Sequence, residues 1–250
     1  MENVEQYLQN AGLAHFGFAR FADIEDRLLD CRAKARLPQD ACSVIAVLLP
    51  YYTGEHPGRN LSRYAVIRDY HDVLGSRLSD AAQRLRAAYP NDKFEAFVDN
   101  SPIPEVYAAY LAGLGDIGEN GLLLTKAFGS YVFLGSIVTT LPLAPATERI
   151  SLCTHCGACV RRCPSGALSG NGFNREACLS RITQKTGTLS EEEMALIEQE
   201  GCLWGCDRCQ EVCPVNRSVP VTGVSEFLED IHPRITAPVT KEDTAGYPYA

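Results

Sequence analysis

One long segment in the first half of the chain repeats apolar residues at helical spacing. Between about residues 68 and 89 they return every three or four positions, which places them along one face of an amphipathic helix. The members of this stripe are Tyr70, Val73, Leu74, Leu78, Ala81, Ala82 and Leu85. A shorter helix is predicted near the start, where Val4 and Leu8 precede Gly12, a residue type that commonly ends helices.

Three shorter apolar runs in the same half are typical of strands. They comprise residues 42–49, which Pro50 follows, residues 94–98 and residues 131–139. Each run is too short for a helix of ordinary length and has the apolar character of a buried strand. Together with the helices, they predict a mixed architecture in which helices cover a sheet.

The pair Ser101-Pro102 favours the start of a further helix, because serine is a common N-cap and proline fits the first helical position. Helices and strands alternate along residues 1–148, so we expect an α/β domain there. The composition becomes rich in cysteine and loops over residues 149–216, and prolines interrupt residues 217–250. We expect a ferredoxin-like module followed by an extended tail that packs over the other two parts.

Composition narrows the class of protein. The chain has 250 residues, of which 46% are hydrophobic and 22% charged, as in ordinary globular proteins. The longest apolar stretch near the start, residues 43–49, is far shorter than the roughly 20 residues that span a bilayer, and residues 1–10 lack signal-peptide character. We therefore expect a cytoplasmic protein with no membrane partner. Thiols stay reduced in the cytoplasm, so its eleven cysteines are better explained as metal ligands and small buried residues than as disulfides.

The net charge of the chain argues against a nucleic-acid partner. The formal net charge is −8 and no run of three or more lysine or arginine residues occurs, so the chain lacks the basic surface typical of nucleic-acid-binding proteins. Tight, unaided RNA binding is therefore not expected. A local basic face stays open, and its candidate members are Arg20, Arg27, Arg32, Lys34 and Arg36.

Two cysteine runs dominate the second half of the chain. The first run has spacings of x2, x2 and x3 before a proline, the pattern in which three thiolates hold one 4Fe-4S cluster and the fourth reaches a second cluster. The second run supplies three further ligands before its own proline. Such runs make zinc ribbons an unfavourable alternative. If the reach-across pattern holds, the first cluster takes Cys153, Cys156, Cys159 and Cys213, and the second takes Cys163, Cys206, Cys209 and one more cysteine.

Two residues are candidates for that last ligand, Cys178 and Cys202. Cys202 precedes Cys206 with an x3 spacing that does not suit a tight wrap around a cluster, whereas Cys178 lies in a connecting segment that is free to return. Spacing therefore favours Cys178, with Cys202 as the alternative. Cys31 and Cys42 lie outside both runs, and we expect them to be buried small residues.

The long first part suggests that the clusters serve a second site, since an electron-transfer ferredoxin needs only the cluster module. Gly113-x-Gly115-x2-Gly118 matches the dinucleotide fingerprint, but a helical pattern precedes it where that motif requires a strand. We interpret these glycines as positions where the backbone closely approaches a large flat ligand. The alternative is an ordinary loop at the end of a helix.

Several motifs occur together in one order along the chain. They are Ser62-Arg63-Tyr64-Ala65, Arg68-Asp69-Tyr70-His71, Val98-Asp99-Asn100-Ser101-Pro102, Gly113-Leu114-Gly115-Asp116-Ile117-Gly118, Phe128-Gly129-Ser130-Tyr131-Val132-Phe133-Leu134-Gly135 and both cysteine runs. With these motifs the chain resembles the epoxyqueuosine reductases from about Phe16 to Asn216. The combination is specific, because the motifs span both predicted domains.

The resemblance implies a nitroreductase-like α/β core that holds base-off cobalamin, followed by two 4Fe-4S clusters with Cys178 as a ligand. It implies reduction of epoxyqueuosine to queuosine in the tRNA anticodon, with electrons from an external donor of flavodoxin or ferredoxin type. Asp99 falls on the position of the family's proposed general acid, although its charge could instead serve the helix predicted at Ser101. We expect His71 and Arg68 to assist catalysis. The expected cofactor-binding residues are Tyr70, Gly113, Gly115, Gly118 and Ser130.

Some features depart from the family. Typical members continue into a helical-repeat domain that grips tRNA, so this chain is expected to be a short form without it. The family's usual Trp-Ile-Gly-Lys reads Asp116-Ile117-Gly118-Glu119 here, which replaces a basic group by an acidic one. The substrate is therefore expected to be a modified nucleoside or another small molecule, with tRNA as a further option. The alternatives are a cobalamin and iron-sulfur reductase of another small substrate and a non-catalytic electron-transfer or cobalamin-handling protein.

Overall fold

The computed structural model describes residues 3–170 and 172–236. An antiparallel four-stranded sheet forms the centre of the first part, and its strands lie in the spatial order His15–Arg20, Ser43–Pro50, Val132–Thr139 and Phe94–Val98. In chain order this part contains α1 (Val4–Asn10), β1 (His15–Arg20), β2 (Ser43–Pro50), α2 (Tyr70–Ala88), β3 (Phe94–Val98), α3 (Glu105–Leu111), β4 (Asp116–Ile117), β5 (Leu123–Leu124) and β6 (Val132–Thr139). The mixed α/β prediction is confirmed.

The two faces of the sheet are covered by different helices. Strand β2 is buried along its whole length, and successive side chains of a strand point to opposite faces. Ile45, Val47 and Leu49 join the core beneath α1 and α2, whereas Val44 and Leu48 join the core beneath α3. The predicted apolar stripe of α2 packs into the first of these cores. The sheet therefore carries α2 on one face and α3 on the other.

Three predictions about this part are corrected by the structure. Helix α3 begins at Glu105 and not at Ser101, because Pro104 disfavours helical geometry at Ile103, the residue before it. Ser101 Oγ instead accepts a hydrogen bond from Ile103 N at 3.1 Å. Cys42 is exposed and Cys31 half-buried, so they are not the buried pair that was expected.

The apolar pattern also missed strand β1. Its six residues include Gly17, which weakens a strand signal. A side chain at Gly17 would place a Cβ only 2.1 Å from the carbonyl oxygen of Ala112. The glycine is therefore needed where the end of α3 packs closely against β1. The periodicity of apolar residues along the sequence does not reveal this contact.

The second part is built from short elements joined by loops. They are α4 (Ala158–Arg162), β7 (Leu168–Ser169), β8 (Gly172–Phe173), α5 (Leu179–Ile182), α6 (Glu191–Glu200) and α7 (Arg208–Glu211). Helix α6 has a complete capping box between Ser190 and Glu193. Helices α4 and α7 lie within the two cysteine runs and pack against each other.

The last described segment returns to the α/β part. It contains α8 (Glu226–Glu229), whose Phe227 is fully buried in the core beneath α2. Thr222 N donates to the Tyr52 carbonyl at 2.6 Å, and His232 N donates to the Val66 carbonyl at 2.7 Å. Up to residue 236, the tail lies across the first domain, and the rest of the predicted tail is outside the described residues. Within the described ranges no helix is both long and apolar enough to cross a membrane.

Candidate active site and cluster sites

The first group of cysteines combines both cysteine runs. Three thiols of the first run and the last thiol of the second line one small cavity, and these residues are Cys153, Cys156, Cys159 and Cys213. His155 and Gly157 have positive φ angles, which lets the backbone turn tightly between the thiols. Asp116 Oδ2 accepts from Leu152 N at 2.7 Å and from Cys153 N at 2.9 Å, which fixes the start of the run to β4.

The second group of cysteines lines a larger cavity of about 560 Å³ between the two domains. We call these four residues the cysteine face: Cys163, Cys178, Cys206 and Cys209. Cys202 lies outside this cavity, and its thiol donates to the carbonyl oxygens of Trp204 at 3.4 Å and Gly205 at 3.3 Å. Cys178 therefore lines the large cavity together with the other three thiols, whereas Cys202 lines a neighbouring cavity with Cys206.

Burial changes the chemistry of two of these thiols. It raises the pKa of Cys206 and of Cys209 to about 12, with smaller contributions from neighbouring cysteines. Both thiols hold their protons at neutral pH in the absence of iron, so cluster binding must displace those protons.

The large cavity is also lined by polar residues of the α/β part. Tyr70 and His71 begin α2, and Asp99 directly follows β3. We call these three residues the acid face. His71 Nδ1 lies 2.6 Å from Asp69 Oδ1, and His71 Nε2 lies 3.4 Å from Asp99 Oδ2. The imidazole thus bridges two carboxyl groups, of which the second is largely exposed to the cavity.

An aromatic group continues this side of the cavity. The rings of Tyr70 and Phe133 stack with centroids 4.1 Å apart and an angle of 6° between their planes. The ring centroids of Tyr51 and Phe133 lie 4.5 Å apart. Burial raises the pKa of Tyr70, and the negative charge of Asp99 raises it further, so its hydroxyl stays protonated. These rings give the cavity an aromatic lining.

Polar contacts attach the cluster module to the first domain beside this cavity. Ser130 Oγ donates to Gln210 Oε1 at 3.0 Å, and Ser130 N donates to Asn216 Oδ1 at 2.8 Å. Asp207, which follows Cys206, is fully buried and accepts from Arg63 N at 2.8 Å. Arg59 Nη1 lies 2.7 Å from the same carboxyl group. These contacts hold the cluster module against the α/β part beside the large cavity.

Not all predicted site residues meet in the cavity. Asp99, His71, Tyr70 and Ser130 line it together with the cysteine face. Arg68 is exposed and does not line it, because it precedes α2 and points away from the core. The prediction that Arg68 assists catalysis is therefore not supported by its position.

The glycine motif makes close contacts within the chain itself. A Cβ at Gly115 would lie 2.3 Å from the Leu124 carbonyl oxygen, and one at Gly113 would lie 3.0 Å from Ala146 Cβ. Gly118 lies beside the small cavity and does not line the large one. At Gly113 and Gly115 the close backbone approach is made by the chain itself, and a role of the glycines in cofactor binding stays a prediction.

The sequence reasoning overlooked Glu105, Gln210 and the aromatic pair of Tyr51 with Phe133. Glu105 opens α3 close to Asp99, and burial together with the Asp99 charge raises its pKa to about 8. Phe133 could have been identified from the sequence, because it belongs to one of the motifs shared with the family. Nothing in the sequence marks Glu105 as buried.

Comparison with known proteins adds independent support. Residues 152–216 match the family described as a 4Fe-4S double cluster binding domain, and residues 32–100 match the one described as epoxyqueuosine reductase QueG, DUF1730. The epoxyqueuosine reductase of Gloeobacter violaceus is 38% identical over 197 residues, covering 77% of this chain and 62% of that protein. The epoxyqueuosine reductase of Lactococcus garvieae is 33% identical over 224 residues, covering 86% of this chain and 63% of that protein. The chain thus spans less than two thirds of these relatives.

Solved structures give a similar result. Epoxyqueuosine reductase with an epoxyqueuosine-modified tRNA-Tyr stem loop matches with a TM-score of 0.74 and 27% identity, covering 92% of this chain and 66% of that one. The Bacillus subtilis enzyme with its catalytic loop swung out of the active site matches with a TM-score of 0.76 and 26% identity. The match covers 92% of this chain and 68% of that one.

A reductive dehalogenase described in terms of B12-dependent dehalogenation shares the fold alone, with a TM-score of 0.50 and 17% identity over 86% of this chain and 31% of that one. The double-cluster module follows an α/β domain, residues of both parts line one cavity, and the relatives align across both parts. By these matches, the chain is similar to epoxyqueuosine reductases over both its α/β part and its double-cluster module.

Proposed function

We propose that this protein is an oxidoreductase that reduces epoxyqueuosine to queuosine with two 4Fe-4S clusters and a cobalamin. One observation carries the proposal: a single cavity is lined by both the acid face and the cysteine face. A source of protons and a site for an electron carrier therefore open into the same space. The relatives that match across both domains are named epoxyqueuosine reductases.

The cluster ligands follow from the two groups of thiols. We assign the first cluster to Cys153, Cys156, Cys159 and Cys213 and the second to Cys163, Cys178, Cys206 and Cys209. The support is that each set lines one cavity, and that each cavity receives thiols from both halves of the module. The family match over residues 152–216 supports the same number of clusters.

The large cavity suits a broad, flat cofactor, as expected for a nitroreductase-like core that binds base-off cobalamin. Tyr51, Tyr70 and Phe133 line it with aromatic rings, and Leu122 and Val132 add apolar surface. These residues would hold the corrin ring next to the second cluster. When bound, cobalamin supplies a cobalt centre that takes up single electrons and acts on a strained C–O bond.

The acid face would supply a proton to the substrate oxygen. The overall change adds two electrons and two protons to epoxyqueuosine and releases queuosine and water. Asp99 gives its proton to the departing oxygen, a role worth about 10²–10⁴ in rate for a well-placed acid. His71 can return a proton to Asp99, because its Nε2 faces the Asp99 carboxyl group while Asp69 holds Nδ1.

Electrons would enter through the first cluster. Cys156 is exposed, whereas Cys206 and Cys209 are partly buried beside the large cavity. We therefore propose an external donor of flavodoxin or ferredoxin type that docks near Cys156. A cytoplasmic location remains a prediction. We propose epoxyqueuosine within tRNA as the substrate, in line with the stem loop bound by one related structure.

The test uses protein reconstituted anaerobically with iron, sulfide and cobalamin. We expect it to convert epoxyqueuosine when given a chemical reductant, with tRNA and the free nucleoside assayed side by side. Conversion of the nucleoside alone would limit the proposal to a small substrate. A protein that binds both clusters and cobalamin but converts neither form would contradict it.

A further inference from the structure

Asn120 lies between the two groups of cysteines. It lines the small cavity with the thiols of the proposed first cluster, and it also lines the large cavity with the cysteine face. Among the described residues, no other one lines both cavities. Asn120 belongs to the α/β part of the chain, whereas these thiols belong to the cluster module. The α/β part therefore contributes a polar side chain at the place where the two cluster sites are neighbours.

A tight turn between β4 and β5 places Asn120 there. Gly118 N donates to the Leu122 carbonyl at 2.9 Å, and Gly121 N donates to the Gly118 carbonyl at 2.8 Å. Gly121 has a φ angle of +76°, a conformation that glycine adopts at little cost. A Cβ at Gly118 would lie 2.5 Å from Asn120 Oδ1, so the glycine leaves room for the Asn120 amide group. The turn therefore fixes where this side chain lies.

The two ends of the Asn120 amide group have different surroundings. Oδ1 accepts a hydrogen bond from Leu122 N at 3.3 Å, and an N–H can donate only to the oxygen end. Oxygen and nitrogen diverge from the same carbon atom, so Nδ2 points away from that contact. Nδ2 is shielded from solvent and completes no hydrogen bond with the described residues. A buried donor without an acceptor is unfavourable, so an acceptor is expected beside Nδ2 in the loaded protein.

The sulfur atoms of a 4Fe-4S cluster are suitable acceptors, because thiolates and sulfides are anionic. Hydrogen bonds to these sulfurs are among the factors that set the reduction potential of a cluster. Cys209, a member of the cysteine face, is the thiol on which Asn120 acts. Burial raises the pKa of Cys209 to about 12, and the Asn120 side chain opposes that rise because it favours the thiolate. The acceptor therefore belongs to the second cluster.

We propose that Asn120 is a positioning residue whose side-chain N–H donates to a sulfur atom of the second cluster and raises the reduction potential of that cluster. Reduction adds one negative charge to the cluster, and a donated N–H stabilises that charge. An electron is then held more favourably on the second cluster, beside the large cavity, than it would be without Asn120. This inference rests on the ligand assignment within the proposed function, but it does not depend on the substrate.

The test compares Asn120→Leu and Asn120→Asp with the parent protein, each reconstituted with both clusters. Redox titrations followed by EPR spectroscopy at pH 8 measure both reduction potentials. Leucine has a similar size but no donor, so we expect the reduction equilibrium of one cluster to shift about tenfold toward the oxidised form, which is 59 mV for a one-electron couple. Aspartate keeps an acceptor for Leu122 N and replaces the donor by a negative charge, so we expect a larger shift in the same direction. Asn91→Leu, at an exposed turn position, is the matched control and should leave both potentials unchanged.

A second experiment identifies the cluster that Asn120 contacts. Cys178→Ala is expected to leave only the first cluster, so adding Asn120→Leu to that variant should not shift the remaining potential. A shift of the first cluster would overturn the inference. Unchanged potentials in both Asn120 variants at full iron content would overturn it as well. If the leucine variant loses a cluster, the comparison of the aspartate variant with the parent protein still decides.

The outcomes also separate this inference from the proposed function. A parent protein that shows the expected shift on substitution but converts no substrate would contradict the proposed reaction and leave the role of Asn120 supported. An active parent protein whose potentials do not respond to Asn120 would do the reverse. A parent protein that binds a single cluster would contradict the ligand assignment and this inference together.

Discussion

The two faces of the large cavity are assembled in different ways. The cysteine face comes from one module, and three of its four thiols lie in runs whose spacing already predicts a cluster. The acid face comes from the start of α2 and the end of β3, which α2, the sheet and α3 bring together. Local spacing thus determines one face, whereas packing of distant segments determines the other. Substitutions on the two faces should therefore fail in different ways.

The largest effect is expected on the cysteine face. Cys178→Ala removes a thiol from the large cavity, so we expect the iron content to fall from about eight to about four per chain and turnover to vanish. Cys202→Ala is the matched control, because its thiol bonds to backbone carbonyls outside that cavity. Iron and acid-labile sulfide are measured after anaerobic reconstitution. A Cys202 variant that loses a cluster while the Cys178 variant keeps both would reverse the ligand assignment.

The next largest effect is expected on the acid face, and it should leave both clusters in place. Asp99→Asn keeps the size of the side chain but supplies no acidic proton, so we expect turnover to fall by about 10²–10⁴, or roughly 3–5 kcal/mol of barrier. Iron content and the base-off cobalamin spectrum should not change. These are measured with substrate reduction on one preparation. An Asp99→Asn protein with full activity would end the assignment of Asp99 as the acid.

A smaller effect is expected where the two domains join. Asp207→Asn weakens a buried pair with Arg59, so we expect the free energy of unfolding to fall by about 2 kcal/mol. Glu55→Gln is the control, because Glu55 is largely exposed where it pairs with Arg63, and exposed pairs contribute about 0–1 kcal/mol. Denaturant unfolding of the cluster-loaded protein measures both. Equal losses of unfolding free energy in the two variants would show that the burial of Asp207 does not determine how much its ion pair with Arg59 stabilises the protein.

The smallest effect compares two neighbours in sequence. His71→Gln removes the imidazole between Asp69 and Asp99, and we expect about a tenfold loss of turnover, or roughly 1.4 kcal/mol. Arg68→Ala should remain within a few-fold of the parent, because Arg68 is exposed and outside the cavity. Steady-state kinetics at pH 7 measure both variants. The distinction between the two residues is lost if Arg68→Ala is the more damaging change.

Much of the secondary structure was predictable because its causes are local. The stripe on α2, the buried run of β2 and the strand β3 lie where the apolar pattern placed them. The start of α3 was wrong, because a serine and a proline favour a helix start but a second proline prevents helical geometry before it. Strand β1 was missed because its glycine is required by a contact with the end of α3.

The sequence alone determined the cluster chemistry, since the spacing within each cysteine run fixes how the backbone can wrap a cluster. Tertiary structure decided which residues from distant segments of the chain come together. It brought Cys178 to the cavity, turned Arg68 to solvent and set His71 beside Asp99. It also buried Glu105 next to Asp99, which raises the pKa of that carboxyl group to about 8. Burial and contact depend on how the whole chain packs, and no local pattern of residues records them.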